Sequence, residues 1–401
     1  MLSVEEALKL VAKNAEPLAP RRVPLRDAAE LVLAEDITSE FNSPPYDKSM
    51  MDGYAVHSAD RQALRKVLEE IAAGAVPRLP VTPGAVSRIM TGAPMPEGAD
   101  AVVQLENTEL LDTATVRLDQ IDPAAGQNVL PRGSSLRAGD AVLQCGALLR
   151  PIEIAILAEI GRAVVTAHPR PRVAILPTGN ELVAIGEKVG HGQIRNSNGP
   201  MLVAAAARAG AEAIELGIAR DDRDELKRWV EQGLAADVLV LSGGVSAGKF
   251  DLVPEVLAEL GVEQVFHKVA LRPGKPLWFG VKRDADRRVL VFGLPGNPMS
   301  SFVCFELFVR PAIAALAGRG FVGPQTVQAK ISHAFDHAGG RAARLPARLS
   351  AESSNGSIAV EILRWKGSAD LASVARANGL ACLPIEQLRL APGDSLDVLL
   401  I

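Results

Sequence analysis

The stretch Arg288-Val-Leu-Val-Phe-Gly-Leu-Pro-Gly-Asn-Pro-Met-Ser-Ser301 couples an apolar, β-rich run to a Gly- and Pro-rich turn. A helix then opens, with Ser300 and Ser301 near its start. It closes a series that runs from Arg172 to about Gly318. Strand candidates there are Arg172-Val-Ala-Ile-Leu176, Ala213-Ile-Glu-Leu-Gly-Ile218, Asp237-Val-Leu-Val-Leu241 and Arg288-Val-Leu-Val-Phe292. Helical segments start near Gly199, Asp222 and Asp251, and a last helix runs from about Pro298 to Leu316. Such alternation predicts a largely parallel, doubly wound α/β sheet with helices on both faces. Ligands in that architecture sit at the C-terminal ends of the strands. Three polar loops fall there: Pro177-Thr-Gly-Asn-Glu-Leu182, Ser242-Gly-Gly-Val-Ser-Ala-Gly-Lys-Phe-Asp251 and Leu294-Pro-Gly-Asn-Pro298.

A second strand–turn unit, Val269-Ala-Leu-Arg-Pro-Gly-Lys-Pro-Leu-Trp-Phe-Gly280, carries two cations, Arg272 and Lys275, on a Pro-stiffened turn. Fixed cations beside free N–H groups at a helix N-terminus make a site for phosphate or another oxyanion. The ligand expected is an anionic, phosphate-bearing small molecule. In the middle loop, Gly243 and Gly244 let the backbone approach it, and the Ser242 and Ser246 hydroxyls are candidate phosphate contacts. The loop lacks Walker spacing, because no Gly-Lys-Ser/Thr closes it. Pro276, Pro295, Gly296, Asn297 and Pro298 complete the candidate binding set. Asp251 has two readings, a helix N-cap or a magnesium ligand beside a phosphate. Glu181 likewise closes a Thr178-x-x-Glu181 capping box or serves as a metal-binding carboxylate. Asp221 is a third candidate metal carboxylate.

The rest of the chain sets the frame. With 401 residues, 48% hydrophobic, it is too long for one core. Lys and Arg number 43 against 47 Asp and Glu, a net charge of −4, so no nucleic-acid footprint is expected. The three cysteines are far apart without a Cys-x-x-Cys pair, which fits a reducing cytoplasm. The N-terminus does not read as a signal peptide, and no apolar run reads as transmembrane. A capping box, Ser3-x-x-Glu6, predicts a helix from about Ser3 to Lys13. Residues from about Phe41 to Gly139 read as a β module with short apolar runs, Ala101-Val-Val-Gln-Leu105 and Ala114-Thr-Val-Arg-Leu118. Asp52-Gly53 is expected to be a turn pair before a strand, and Met90 to Asp100 a loop with Thr91 as a possible contact. After Gly318, Thr326–Ile331, Ser357–Arg364 and Ser395–Ile401 predict a small β-barrel or sandwich. His333 and His337 have helical metal-ligand spacing but no third ligand, so a metal role is not expected. The domain expectation is a discontinuous connecting domain (20–40 and 140–170), a β-rich domain (41–139), the α/β domain (1–19 and 171–320) and a C-terminal barrel (321–401).

The motifs in order resemble the MoeA family, the molybdopterin molybdenumtransferases, to which the gephyrin E domain is related. The matching pieces are Asp52-Gly-Tyr-Ala-Val56, Met90-Thr-Gly-Ala-Pro-Met-Pro-Glu-Gly-Ala-Asp100, Pro177-Thr-Gly-Asn-Glu-Leu182, Ser242-Gly-Gly-Val-Ser-x-Gly-x-x-Asp251, Arg272-Pro-Gly-Lys-Pro276 and Gly293-Leu-Pro-Gly-Asn-Pro298. The resemblance implies an elongated homodimer of four domains, including a MogA-like molybdopterin-binding α/β domain. It implies magnesium-dependent insertion of molybdate into adenylylated molybdopterin with release of AMP. It also implies catalytic roles for Asp52, Thr91, Glu181, Asp251 and Lys275, with Asp52 and Thr91 reaching the partner subunit's α/β domain, and handover from a MogA-type adenylyltransferase. In the barrel it implies oxyanion contacts. There the chain departs from the pattern: Pro346 falls on an Arg of the family, with Arg344 or Arg348 as substitutes, while Ser368 is kept. Ser135 stands where the family has Asp, and Arg272 where Lys is commoner. Two alternative activities remain open: molybdopterin adenylylation, or a catalytically weakened paralogue that serves as a molybdopterin-binding scaffold.

Overall fold

The computed structural model describes residues 1–245, 252–284, 287–351 and 358–401. They form two compact units, Met1–Ala34 with Thr166–Ile401, and Glu35–Val165.

The first unit is built on a six-stranded sheet in the order Glu212–Glu215, Arg172–Pro177, Val238–Ser242, Arg287–Leu294, Trp278–Asp284, Val262–His267. The first four strands are parallel, and the last two add antiparallel. Ile175, Val240 and Phe292 stand side by side across the parallel strands. These strands are buried on both faces, which is why they read as unbroken apolar runs. Alternation sends Val173, Ile175, Val238, Val240, Leu290 and Phe292 into one core. Ala174, Leu176, Leu239, Leu241, Val289 and Val291 enter the other. Helices Val4–Asn14, Asn198–Arg208 and Pro298–Leu316 cover the first face. Arg223–Gly233 and Val253–Glu259 cover the second.

The doubly wound expectation holds, with three corrections. The strand at Ala213 stops at Glu215 rather than Ile218. No helix follows Glu181: Leu182–Val183 is a short strand, so Thr178 and Glu181 form no capping box. And one apolar segment does have the length and composition of a membrane span: Pro298–Leu316, 19 residues, 83% buried inside the protein. Burial explains it, since a helix packed all round in a core is apolar all round. The Ser3–Glu6 capping box is present at Val4–Asn14.

The C-terminal part of this unit is a closed five-stranded barrel. Ala342–Ala351, Ile358–Ile362, Thr326–Ile331, Ser395–Leu400 and Gly379–Leu383 pair in turn, and the last pairs back to the first. Closure removes the sheet edges. Ala343, Leu345 and Ala347 fill its interior, so the period of two puts Arg344, Pro346 and Arg348 on the outer face. His337 lies in a strand and bonds the Pro384 carbonyl, and no cluster of three metal-ligating side chains forms among the described residues.

The second unit centres on another six-stranded sheet. Its order is Ala101–Gln104, Gly53–Val56, Ala85–Ile89, Leu64–Ile71, Thr115–Leu118, Thr108–Leu110. Gly53 is the first residue of its strand rather than half of a turn, paired with Gln104, and a Cβ there would collide with the Val103 carbonyl. Within the strand Leu64–Ile71, the Arg65 side chain is 1% exposed and pairs with Asp60 at 2.9 Å.

Candidate functional site

The sheet delivers its loops to one end, and two cavities open there. The first, of about 560 Å³, is cationic. Arg272, Lys275, Arg341 and Lys366 all line it, together with Asn297, Ser300 and Ser368. Arg272 and Lys275 are exposed, and neither has an ion-pair partner among the described residues. Their turn is pinned at its base by Val269 N–H donating to Lys275 O at 3.0 Å. Leu271 and Arg272 then pair with Ala342 and Ala343 of the barrel. That pairing brings Arg341 to the same cavity, where its guanidinium also reaches Leu271 O at 3.4 Å. Ser368 enters from the barrel side: its Oγ accepts from Asn297 Nδ2 at 2.9 Å, and its carbonyl from Met299 N–H at 3.0 Å. Four cations, with no carboxylate among the described residues that line the cavity, hold a site ready for a multiply charged oxyanion.

The second cavity, of about 360 Å³, adjoins the first and shares Pro276, Pro295 and Asn297 with it. Its floor is backbone from Gly179, Gly243, Gly244 and Gly296, and its acidic wall is Glu181 and Asp221. Gly243 has φ +100° and lies under the Thr178 carbonyl, a close approach that a side chain would block. Asp221 is held by exchange with Asn180: Asp221 N–H donates to Asn180 Oδ1 at 3.1 Å, and Asn180 N–H to Asp221 Oδ2 at 3.3 Å. Arg220 stiffens the same turn through the Asn180 and Leu182 carbonyls. The acidic donors here are oxygen only, which suits a hard cation such as magnesium bound through one or two carboxylates plus ligand phosphates.

The structure therefore gathers Arg272, Lys275, Pro276, Pro295, Asn297 and Ser368 around one cavity, and Glu181, Asp221, Gly243, Gly244 and Gly296 around its neighbour. Pro298 lines neither; it is in the first turn of its helix. Ser242 lines neither: it is 2% exposed and its hydroxyl bonds inward. Ser246 and Asp251 lie outside the described residues; the N-cap position of the following helix is Leu252, which makes no side-chain cap bond. Arg344 is displaced as well. It is on the outer barrel face beside Cys382 and the helix Val4–Asn14, away from Lys275. Strand geometry explains this, since Arg344 and Pro346 are two residues apart and share a face. Arg341 and Lys366 are the cations that sequence reading missed. Both are close in the chain to residues already singled out, Arg341 to Arg344 and Lys366 to Ser368.

In the second unit, Asp52 and Thr91 form a unit of their own. Asp52 Oδ1 accepts from Thr91 N–H at 2.7 Å and Thr91 Oγ1 at 2.8 Å. These two bonds, the backbone one foremost, with Arg88 nearby, hold the Asp52 carboxyl below its usual range, so it stays ionised. Ser135 is exposed, and its N–H donates to Ser43 O at 3.0 Å.

Three family descriptions match the chain in succession. They are the MoeA N-terminal region (domain I and II) over residues 2–161, a probable molybdopterin binding domain over 174–315, and the MoeA C-terminal region (domain IV) over 328–401. A Staphylococcus aureus protein named molybdopterin molybdenumtransferase is 34% identical, covering 100% of this chain and 95% of its own. The chain belongs to the MoeA family. A molybdopterin biosynthesis MoeA protein from Pyrococcus horikoshii superposes with a TM-score of 0.80 at 31% identity, covering 100% of this chain and 99% of the other. A second, from strain OT3, gives 0.78 at 29%, with both chains fully covered. A Staphylococcus epidermidis molybdopterin molybdenumtransferase is 33% identical over the full chain and 95% of its own. Four cations, Arg272, Lys275, Arg341 and Lys366, line the first cavity, and Pro346 does not.

Proposed function

We propose that this chain inserts molybdate into adenylylated molybdopterin and releases AMP, in a magnesium-dependent reaction of molybdenum cofactor biosynthesis in the cytoplasm. The observation that carries the reading is the pair of joined cavities, one lined by four cations and the other by Glu181, Asp221 and glycine backbone. A dithiolene ligand with a pyrophosphate linkage needs such a division. Its phosphates and the incoming molybdate are anions, which Arg272, Lys275, Arg341 and Lys366 attract and orient. The glycine backbone lets the ligand approach N–H donors closely. Asn297 and Ser368, bonded to each other, present polar groups where the two cavities meet. Magnesium, held by Glu181 and Asp221, would neutralise phosphate charge when bound.

The domain reading remains four-part, with residues 20–40 and 140–170 connecting, 41–139 β-rich, 1–19 and 171–320 α/β, and 321–401 the barrel. The working unit is a homodimer in which Asp52 and Thr91 of one subunit serve the cavities of the other, with ligand received from a MogA-type adenylyltransferase. The resemblance of the Asp52 and Thr91 motifs supports that arrangement.

The test is direct. Purified protein is incubated with adenylylated molybdopterin, magnesium and molybdate, and AMP is measured. Release that requires both magnesium and molybdate supports the reading. Tight molybdopterin binding without AMP release favours the scaffold alternative and overturns it.

A further inference from the structure

Beneath the two cavities lies a buried polar knot. Asn198 is 8% exposed, and Ser242 and Ser301 are more deeply buried. Asn198 Nδ2 donates to Ser242 Oγ at 2.7 Å and to Gly296 O at 2.8 Å. A carbonyl only accepts, so the amide nitrogen must face Gly296 and both its hydrogens are used. Ser301 Oγ donates to Pro295 O in a short bond, and it stands 3.3 Å from Ser242 Oγ. Ser301 has one proton, already committed to Pro295, so the Ser242 proton points towards Ser301 Oγ and the same Pro295 carbonyl, 3.5 Å away. The donors thus run one way, from Asn198 through Ser242 and Ser301 to Pro295. Two consecutive carbonyls, Pro295 O and Gly296 O, are tied into the core.

A trans peptide carries its C=O and N–H on opposite sides. Both peptides here are trans, the cis bonds of the described residues being Ser43–Pro44 and Arg272–Pro273. Tying the two carbonyls inward therefore turns the N–H groups of Gly296 and Asn297 outward, on the side of the cavity that Pro295, Gly296 and Asn297 line. Among the described residues neither N–H donates to another group. Asn198 Oδ1 is buried and unpaired, which costs stability. The worth of this amide therefore lies in what its hydrogens hold.

We propose that Asn198 and Ser301 are positioning residues that fix the Gly296 and Asn297 N–H groups as an anion hole for a phosphate or other oxyanion group of the ligand. This rests on the reading that the cavities take a phosphate-bearing ligand. Release of either carbonyl would let its peptide rotate and present oxygen, not N–H, to the anion.

The segment 295–298 offers a clean readout. Pro295 and Pro298 have no amide hydrogen, so it carries only those of Gly296 and Asn297. The full chain is titrated with pyrophosphate by calorimetry, and hydrogen exchange of this segment is followed by mass spectrometry. In the wild type, pyrophosphate should bind and slow both amides. Ser301→Ala should weaken binding roughly tenfold and abolish the slowing, while Ser301→Thr, which keeps the hydroxyl, restores both. Asn198→Ala should behave like Ser301→Ala. Wild-type binding without slowed exchange overturns the hole even where no variant folds. So does wild-type affinity in both alanine variants. If Lys275→Ala abolishes that binding while the two amides never respond, the cavity reading stands and the hole alone fails. No pyrophosphate binding by the wild type sinks both.

Discussion

Asn297 donates to Ser368 across 2.9 Å and so fastens the last loop of the parallel sheet to the barrel. The carbonyl of the same Ser368 takes the Met299 N–H, which makes Ser368 a two-point anchor at the start of the helix Pro298–Leu316. Ser368→Ala removes the side-chain bond and keeps the backbone one. A neutral hydrogen bond contributes about 1 kcal/mol net, so oxyanion binding should weaken about fivefold with little change in melting temperature. Calorimetry with molybdate tests this. Unchanged affinity would detach Ser368 from the cavity.

The barrel arginines make a sharper contrast. Arg341 lines the cavity with Lys275, whereas Arg344 stands on the outer face beside Cys382. Arg341→Ala should weaken oxyanion binding roughly tenfold or more, the effect of one charge-assisted contact of about 1.5 to 3 kcal/mol. Lys275→Ala and Arg272→Ala should do the same. Arg344→Ala should leave binding unaltered. Because these cations are near the surface, the affinity should also fall as salt rises. A loss with Arg344→Ala equal to that with Arg341→Ala would mean the strand carries its arginines differently from the geometry described.

The contrast also marks how far sequence reaches. The parallel sheet was legible because strands buried on both faces must read as unbroken apolar runs, and the loops at their ends follow from that order. Glu181 and Asp221 are local to those loops, and Arg272 and Lys275 to the single turn between Val269 and Gly280, so each was legible from its own segment. Arg341 and Lys366 were not, since their placement depends on how barrel strand Ala342–Ala351 pairs with Leu271 and Arg272, a contact 70 residues away in the chain that no local pattern encodes. Arg344 was misplaced for the complementary reason. Its charge was read, but the period of two that turns it outward was not. The knot around Asn198 was equally silent, because an Asn near a helix start ordinarily reads as a cap.

Asp60 and Arg65 should make the second unit acid-sensitive. Their side chains are 5% and 1% exposed. Burial disfavours the Asp60 charge, but the Gly84 and Gln62 N–H groups, Arg65 and His57 together outweigh it and set its carboxyl below the ordinary 3.8. A depressed carboxyl pKa stabilises the fold at pH values above the unfolded one, and the stabilisation is lost as pH falls through the folded value. The Asp60 share of stability should thus be whole at neutral pH and decline below about pH 4. Asp60→Asn strands the buried Arg65 charge and should cost about 3 to 5 kcal/mol at neutral pH. Denaturant melts from pH 7 to pH 3 would show the variant and wild type converging towards the acid end. A gap that stays constant with pH would assign the loss to packing instead.

The final prediction concerns Asp52, whose carboxylate is kept ionised by Thr91 in a unit that holds neither Lys275 nor its cavity. If the proposed dimer shares its sites, two differently damaged subunits rebuild one good site. Asp52→Ala chains mixed with Lys275→Ala chains through co-expression should give about half heterodimers, as random isologous pairing implies. Each heterodimer then has one intact site, with Asp52 from the Lys275→Ala chain and Lys275 from the Asp52→Ala chain, and one site damaged twice. AMP release should recover to about a quarter of the wild-type level per chain, since one site of two works in half the dimers. If Asp52 and Lys275 serve the same subunit, every heterodimer carries two singly damaged sites and no recovery appears. A monomer by light scattering would defeat the shared site before any mixing.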